Sequence, residues 1–378
     1  MVLTLVLGAL AAASGAYYWA ATAAMAGFRR RPPLEPCSLG SLPGVSLLKP
    51  ATDPDPGFPD LLRSHAAQDH PEFEIIVGHR PGDSETAAAV RSIRAHFPEL
   101  RILGVECPRG SRGLNDKVQA LERLAEHASK PVWVVNDADI RVPQAYLRTI
   151  CRELGAAGTG LVTCLYRGEA EGGLAARLEA LRIDTEFPAQ VSLARQLQGM
   201  RFGLGATLAF RRETIERLGG FRSLREFVGD DYVLGARIAA SGLRVEVSSV
   251  PVVTRTGPND GPRQVWDRQL RWARTIRKQR PAGHAGLAVS FATIWCGLAL
   301  LAQPALLWPV AALAVSARLA AAVTSARIVG SSEAVRSLWL VPLADIAAFA
   351  IWVFSYFGND VEWAGRRIRL GAGGRIIP

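Results

Sequence analysis

Apolar stretches at both ends of the chain enclose one polar segment, and this division constrains the fold more than any other feature. Residues 1–28 contain no charged side chain and are followed directly by Arg29, Arg30 and Arg31. The stretch is long enough for a membrane-spanning helix, and the arginines predict that its end lies in the cytoplasm. Its small residues also fit a secretory signal peptide, although the positive charge that normally begins such a peptide is missing.

Two further apolar stretches follow the polar segment. Residues 287–317 carry no charge and are interrupted by Pro304 and Pro309, which predicts a helix, a turn and a second helix that ends near Ala326. Residues 337–357 form the last stretch. Buried helices of soluble proteins seldom need about 20 consecutive apolar residues, so we expect a membrane region here.

The basic tail conflicts with a simple membrane topology. Three complete crossings after a cytoplasmic domain would leave the tail outside, whereas Arg366, Arg367, Arg369 and Arg375 favour the inside. One apolar segment is therefore a candidate for a re-entrant or interfacial position. Asp345 lies within the last stretch, where an ionisable group is costly and serves either a functional site or helix packing around a cavity.

Charge and cysteine content exclude two classes of protein. The formal net charge is +10, but the arginines are spread over segments next to the membrane without the interleaved aromatic residues of a nucleic-acid platform. Anionic lipid headgroups are the better partners, and we expect no nucleic acid. Neither a disulfide framework nor a zinc site is predicted from the five widely separated cysteines, which are Cys37, Cys107, Cys151, Cys164 and Cys296.

Short apolar runs alternate with amphipathic segments in the polar part of the chain. The runs that we interpret as strands are 45–48, 73–77, 102–105 and 132–135, and the helical segments between them are 59–68, 84–96 and 116–127. This order predicts an α/β fold with a mostly parallel, Rossmann-like sheet, whose ligands bind outside the carboxyl ends of the strands. The expected regions are an anchor (1–28), a cytoplasmic domain (40–280), a membrane region (285–357) and a basic cytoplasmic tail (358–378).

Two carboxylates end the fourth predicted strand. Asp137 and Asp139 flank one small residue at the edge of the sheet where ligands bind. Magnesium or manganese ions take one or two such carboxylates and complete their coordination with substrate phosphates and water. A turn or a helix cap before Val142 and Pro143 is the simpler alternative.

A second acidic pair, Asp230 and Asp231, opens an apolar helical stretch. Capping of that helix explains the pair without any function. Alternatively, one of the two is a general base that removes a proton from an alcohol as the alcohol attacks an anomeric carbon.

The segment 263–280 is rich in arginine and directly precedes the second apolar stretch. It fits a helix at the membrane surface, with tryptophan at the interface and arginine near phosphates. Arg268, Arg271 and Trp272 also fit a site in which guanidinium groups hold a diphosphate and an aromatic ring lines an acceptor pocket. Both interpretations can hold together.

These elements, in this order, resemble the ceramide glucosyltransferase family of inverting GT-A glycosyltransferases. The resemblance extends over most of the chain, from the segment at 45–50 through 113–117 and 137–142 to 363–370. The segments 160–167 and 270–277 are most similar to bacterial members, including glycosyltransferases associated with hopanoids.

The resemblance implies a GT-A domain with one amino-terminal and several carboxyl-terminal membrane helices, which takes a nucleotide-diphosphate sugar, usually a UDP-sugar, and a lipid acceptor. It implies Mg²⁺ or Mn²⁺ as cofactor and a bacterial inner membrane as location. The implied roles are metal and diphosphate binding for Asp137 and Asp139, catalysis for Asp231 as the base beside Asp230, and contacts with the nucleotide, diphosphate or acceptor for Lys117, Arg268, Arg271 and Trp272.

Two departures from the family pattern concern the nucleotide. Relatives carry an aspartate after the second strand, whereas this chain has His79 and Arg80 there, so Asp83, His79 or Arg80 is the candidate for that contact. Asp116 replaces the usual proline before Lys117. The alternative functions are a processive polysaccharide synthase, which normally needs more membrane helices, and a non-catalytic membrane protein that binds nucleotide or lipid.

Overall fold

The structure is a computed structural model that describes residues 1–29, 42–52, 57–110, 114–257, 261–363 and 365–377. Four residues used in the sequence analysis lie outside these ranges, namely Arg30, Arg31, Cys37 and Gly113.

Fifteen α-helices occur in the described residues. They are α1 (Val2–Arg29), α2 (Phe58–Ala66), α3 (Ser84–His96), α4 (Asp116–Glu126), α5 (Tyr146–Gly155), α6 (Leu174–Thr185), α7 (Phe187–Gln198), α8 (Arg212–Arg217), α9 (Asp230–Ala240), α10 (Pro262–Gln279), α11 (Pro281–Gly286), α12 (Ala292–Ala302), α13 (Pro304–Val329), α14 (Ser332–Arg336) and α15 (Val341–Ser355). Short 3₁₀ turns lie at Phe221–Leu224, Leu287–Ser290, Leu338–Leu340 and Ala372–Gly374.

The described residues also contain thirteen strands. They are β1 (Val45–Pro50), β2 (Phe73–His79), β3 (Arg101–Glu106), β4 (Val132–Val135), β5 (Ile140–Arg141), β6 (Thr159–Thr163), β7 (Tyr166–Ala170), β8 (Leu208–Arg211), β9 (Arg244–Val247), β10 (Val252–Thr256), β11 (Asp360–Trp363), β12 (Arg366–Leu370) and β13 (Ile376–Ile377).

The central sheet has seven strands in the order β3-β2-β1-β4-β8-β6-β9. Strands β3, β2, β1 and β4 are parallel, and β8 is antiparallel to both of its neighbours. Every residue of β1, β4 and β6 is buried, as expected for strands that are covered on both faces. The predicted α/β fold with a mostly parallel sheet is confirmed, and the first four strands lie where the apolar runs predicted them.

A second sheet, β5-β10-β7, lies beside the turn that follows β4. The third sheet is antiparallel, in the order β11-β12-β13, and is formed by the residues after the last apolar stretch. Its small core contains Val361, Leu370 and Ile376, and Val228 from the polar domain packs into the same core. The basic tail is therefore a folded part of the molecule that packs against the α/β domain.

Three helices among the described residues are long and apolar enough to cross a membrane: Val2–Phe28, Pro304–Val329 and Leu338–Ser355. A further pair, Pro281–Ser290 and Ala292–Ala302, passes the same test together but is bent by 52°. The chain breaks at Pro304 as predicted. The break predicted at Pro309 is wrong, because α13 continues through this proline in its second turn, as prolines within membrane-type helices can do.

Helices α1 and α13 pack against each other in parallel. A Cβ atom placed on Gly8 would lie 3.1 Å from Leu307, and one on Gly15 would lie 3.2 Å from Ala314, so contact positions advance together along both helices. Tyr18 of α1 donates to the Ser290 carbonyl just before α12 (2.6 Å). Helices α12 and α13 thus form a hairpin beside α1.

Candidate active site

The turn after β4 carries Asp137 and Asp139 and is fixed by a buried network. Asn136, the residue directly after β4, is fully buried. Its side-chain amide donates to the Ala206 carbonyl (2.7 Å) and to Thr207 Oγ1 (3.0 Å), both from the segment around β8. These bonds hold the turn at the carboxyl end of the parallel strands, where this fold binds ligands.

Lys49 also holds this turn, and the sequence analysis assigned it no role. It lies near the end of β1 and is fully buried, and its ammonium group donates to the Asp137 carbonyl (2.8 Å). Burial lowers the pKa of Lys49 to about 7, although Asp139 and Asp137 act in the opposite direction. A lysine in a mostly apolar strand is the sequence signal that could have identified this residue.

Lys117 joins the two acidic pairs. It lies in the first turn of α4, and its Nζ is 2.7 Å from Asp137 Oδ1 and 3.6 Å from Asp230 Oδ2. Burial alone would lower the pKa of Lys117, but the neighbouring carboxylates outweigh burial and raise this pKa well above its usual value. Asn115 caps α4 and also donates to the Phe227 carbonyl (2.7 Å), which ties the start of α4 to the segment before Asp230.

Asp230 and Asp231 form the first turn of α9. Asp231 Oδ1 accepts the backbone N–H of Tyr232 (2.7 Å). The other oxygen of Asp231 faces Gly205, since a Cβ atom placed there would lie 3.2 Å from Asp231 Oδ2 and 3.4 Å from Asp137 Oδ2. A side chain at position 205 would therefore crowd one carboxylate of each pair, and glycine lets the two carboxylates approach the same point.

Three carboxyl groups of this cluster have raised pKa values. Burial raises the pKa of Asp231 to about 6, and the charge of Asp230 adds to the effect. Burial also raises the pKa of Asp139 to about 6, with Asp137 as the second cause. The pKa of Asp230 is raised by burial as well, against the attraction of Lys117. Perturbed groups in a shared cleft are typical of catalytic sites.

Helix α10 brings two arginines to the site. Arg268 Nε donates to Glu179 Oε1 on α6 (2.9 Å), and Gln269 donates to the same oxygen (2.8 Å). Burial lowers the pKa of Arg271 to about 10, Arg268 lowers it further, and the charge of Asp137 opposes both. Trp272 is 36% exposed on the same helix. Glu179 was missed because nothing in the sequence connects it with a residue 89 positions away.

The carboxyl-terminal sheet packs directly behind the second acidic pair. The backbone N–H of Val228 donates to the Gly374 carbonyl (3.1 Å), and that of Ile376 donates to the Glu226 carbonyl (2.7 Å). The guanidinium carbon of Arg271 lies 5.8 Å from the centre of the Trp363 ring on β11. Residues after the last apolar stretch thus support both α10 and the turn that leads to Asp230.

The loop after β2 differs from the family pattern, and the two departures contact each other. Arg80 Nη2 lies 2.5 Å from Asp116 Oδ2. Asp83 caps α3, because its Oδ1 accepts the backbone N–H of Thr86 (2.9 Å). Its pKa is lowered because these hydrogen bonds outweigh the opposing effect of burial. The structure thus gives Asp83 a capping role, and a contact between this loop and the nucleotide stays a prediction.

The acidic turn fits a divalent cation shared with a substrate. The described part of the chain contains no group of three or more histidine, cysteine or acidic side chains arranged to hold a metal. Magnesium and manganese sites of nucleotide enzymes do not require one, because substrate phosphates complete the coordination. Asp137 and Asp139 would supply the hard oxygen ligands. Burial raises the pKa of Asp139 most, the charge of Asp137 raises it next, and a cation would offset both effects.

The parallel-rich sheet, with an acidic turn after β4 and a second acidic pair at the start of α9, defines a GT-A-type glycosyltransferase fold. A mannosyltransferase from Pyrobaculum calidifontis, solved in complex with GDP-Man and Mn²⁺, has a similar fold with a TM-score of 0.55. The two chains are 22% identical, and the match covers 93% of this chain and 99% of the mannosyltransferase.

The model of glycosyl transferase family 21 matches residues 5–376, and the chain therefore belongs to this family. Ceramide glucosyltransferase 3 of Caenorhabditis elegans is 22% identical over 238 residues, which cover 62% of this chain and 50% of that protein. Ceramide glucosyltransferase 1 of the same organism is 23% identical over 216 residues, 56% of this chain and 46% of that protein. The chain spans about half the length of the curated relatives that it matches.

Proposed function

We propose that this chain transfers a single sugar from a nucleotide-diphosphate sugar to the hydroxyl group of a membrane lipid, with inversion at the anomeric carbon. The observation that carries the proposal is the approach of Asp137 Oδ2 and Asp231 Oδ2 to the same point beside Gly205, with Lys117 between the two acidic pairs. Family membership and the named activity of the curated relatives support the same reaction class.

The donor diphosphate is assigned to the side of the cluster formed by Asp137, Lys117 and Arg271. Lys117 and Arg271 supply positive charge next to the acidic turn, and guanidinium and ammonium groups are common phosphate ligands. Arg268 and Trp272 extend this side along α10. Asp83 stays a candidate for contacting the nucleotide. UDP is the nucleotide that the family resemblance implies.

Asp231 acts as the general base. Its carboxylate accepts the proton of the acceptor hydroxyl while that oxygen forms a bond to the anomeric carbon. The bond between the anomeric carbon and the diphosphate oxygen breaks in the same displacement, and the nucleoside diphosphate leaves with the electron pair. Lys117 and Arg271 offset the negative charge that grows on the departing diphosphate. Asp230 stays paired with Lys117 and keeps the pKa of Asp231 high.

A divalent cation, Mg²⁺ or Mn²⁺, is proposed as the cofactor. Asp137 and Asp139 would hold it together with the donor phosphates. Such a cation stabilises negative charge on the leaving diphosphate as a Lewis acid.

The acceptor is proposed to be a lipid such as ceramide, diacylglycerol or a hopanoid. Helix α10, which carries Arg268 and Arg271, packs against the apolar helix α15, where the Trp266 and Phe354 rings lie 5.5 Å apart. A lipid hydroxyl therefore reaches the cluster from the bilayer surface. We propose that the catalytic domain lies on the cytoplasmic face of a bacterial inner membrane with anionic headgroups as partners; the positive charge next to the apolar segments supports the cytoplasmic side.

Radioactive nucleotide sugars incubated with the purified protein and a membrane lipid extract test this proposal. A product that migrates as a lipid carrying one sugar supports it. A long polymer would instead support a processive synthase. A third outcome is binding of the nucleotide sugar without any product, although a known glycosyltransferase modifies the same extract. That result would support a non-catalytic binding protein.

A further inference from the structure

Helix α15 has the composition of a membrane span, yet both of its ends contact the catalytic domain. At its start, Leu340 and Val341 pack into a cluster with Leu181 of α6. Just beyond its end, the carbonyl of Phe357 accepts a hydrogen bond from Arg274 of α10 (2.5 Å). Helices α6 and α10 are themselves joined in the active site by Glu179 and Arg268. A helix with both ends on the same domain does not connect opposite sides of a bilayer.

Length does not decide the placement of α15. Together with the 3₁₀ turn before it, the apolar helix Leu338–Ser355 extends for about 27 Å, close to the hydrocarbon core of about 30 Å. The contacts at its two ends decide the placement instead.

The middle of α15 lies against residues of α12 and α13 at a level that the catalytic domain also reaches. Asp345 accepts from Thr293 in the first turn of α12 (2.7 Å) and from Arg318 near the middle of α13 (2.8 Å). Arg318 also donates to the carbonyl of Thr185, where α6 ends (3.3 Å). The catalytic domain thus contacts the ion pair that holds the middle of α15, as well as both ends of this helix.

One side of α15 and its flanking turns is apolar and exposed. The other side is buried and contains Ala344, Asp345 and Ala348. The exposed side chains recur at helical spacing and range from 41% to 77% exposure: Trp339, Leu343, Ile346, Phe354 and Phe357. Exposed leucines on α12 and α13, such as Leu298 and Leu313, continue the apolar surface. A stripe of this kind contacts acyl chains both in a helix that crosses the bilayer and in one that lies in its plane, and the contacts at the two ends of α15 distinguish the two cases.

We propose that α15 is an in-plane helix embedded in the leaflet next to the catalytic domain, and that its exposed stripe is the surface that docks on the acyl chains of this leaflet. The inference rests on the membrane location in the proposed function and not on the sugar transfer itself. The remaining crossings are α1, the bent pair Pro281–Ser290 and Ala292–Ala302, and α13, which return the tail to the side of the catalytic domain. The arginines of the tail then obey the positive-inside rule.

Depth measurements on single labelled positions test this inference. In a variant with Cys37→Ser, which leaves four buried cysteines, Leu343→Cys and Phe354→Cys each receive a fluorophore on the exposed side of α15. The protein is reconstituted into phosphatidylcholine vesicles that carry nitroxide quenchers at two depths. We expect both positions to be shallow and to agree in depth within about 5 Å, one helical turn.

Leu306→Cys and Leu319→Cys on α13 are the matched controls, and their depths should differ by about 20 Å. A difference of about 16 Å between the two α15 positions would show a span and overturn the inference. Absence of quenching at both α15 positions would overturn it as well. Equal depths at the two α13 controls would instead refute the membrane location in the proposed function, and this inference with it.

A second measurement does not depend on the depth of α15. Leu197→Cys in the catalytic domain and Ile377→Cys in the last strand are both exposed, and each is treated with a membrane-impermeant maleimide in sealed vesicles. We expect both cysteines to react from the same side. Reaction of Ile377→Cys from the opposite side would show that α15 crosses the membrane.

Discussion

Two groups of charged side chains in the described part of the chain differ in their balance of charge. At the edge of the central sheet, four carboxylates surround two lysines: Asp137, Asp139, Asp230, Asp231, Lys49 and Lys117. Among the apolar helices, one arginine faces one aspartate, Arg318 and Asp345, 2.8 Å apart. The first group carries excess negative charge, and the second is neutral as a pair.

The difference in charge balance distinguishes a candidate catalytic cluster from a structural ion pair. Both oxygens of Asp345 accept hydrogen bonds, and Arg318 also contacts the Thr185 carbonyl and lies 5.0 Å from the centre of the Tyr18 ring. The hydrogen-bonding groups of this pair are thus occupied by contacts that hold helices together. In the sheet-edge cluster, Asp137 and Asp231 each direct one oxygen toward Gly205, and the excess negative charge of the cluster is one that a bound cation would offset.

The largest expected effect is the loss of transfer in Asp231→Asn. The amide cannot accept the hydroxyl proton, so we expect turnover to fall about 10²- to 10⁴-fold while donor affinity stays within a few-fold of the original. Initial rates and nucleotide binding are measured on the same preparation. Asp267→Asn, a partly exposed aspartate on α10, is the control and should retain full turnover. Normal turnover in Asp231→Asn would show that Asp231 is not the general base.

For the neutral pair of Arg318 and Asp345, we expect an effect on stability and not on catalysis. Asp345→Leu alone leaves Arg318 buried without its partner and should lower the free energy of unfolding by about 3–5 kcal/mol. The double variant Arg318→Met with Asp345→Leu should recover most of that loss, because neither charge is left unpaired. Thermal unfolding in detergent measures both. If the double variant is folded but inactive per molecule, the pair has a role beyond packing.

A smaller effect is expected for Lys49, the buried lysine that holds the acidic turn. Lys49→Met removes the donor to the Asp137 carbonyl, and supporting residues of this kind typically contribute about 10- to 100-fold to metal affinity or activity. The apparent affinity for Mn²⁺ in the transfer assay is the measurement. Lys130→Met, which removes a surface pair with Glu72, is the control and should leave that affinity unchanged.

The smallest effect is a shift in pH dependence. Asp231 acts in its ionised form and has a pKa of about 6 in the free protein, so kcat/KM should fall as the pH drops below 6. Asp230→Asn removes a negative neighbour that makes ionisation of Asp231 harder, so the pKa of Asp231 should decrease and the acid limb should move to lower pH. The pH profile of kcat/KM checks this. A limb that stays in place, or moves upward, would show that Asp230 does not set the ionisation of Asp231.

Local patterns in the sequence predicted the sheet and the acidic pairs, but not the partners of the charged residues. The apolar run that becomes β4 and the Asp137–Asp139 turn are neighbours in the chain, so their positions follow from strand order alone. Lys49 and Glu179 approach the site only through packing of distant segments, and no spacing rule connects them with it. The pairing of Arg80 with Asp116 was hidden for the same reason.

Composition also failed to separate the membrane helices by their orientation. The sequences of α13 and α15 are both apolar enough to cross a bilayer. What distinguishes them is tertiary: α15 contacts α6 at one end and α10 at the other. Hydropathy records how readily a segment enters lipid, but it does not record where the ends of that segment are held.

Nucleotide binding with and without a divalent cation tests most directly whether the unbalanced cluster is the catalytic centre. Calorimetry is performed with UDP and with GDP in the presence of Mn²⁺ or of EDTA, on the original protein and on Asp139→Asn. We expect Mn²⁺ to strengthen binding of the preferred nucleotide to the original protein and to have little effect on Asp139→Asn. Equal affinity of the original protein for that nucleotide in Mn²⁺ and in EDTA would contradict the assignment.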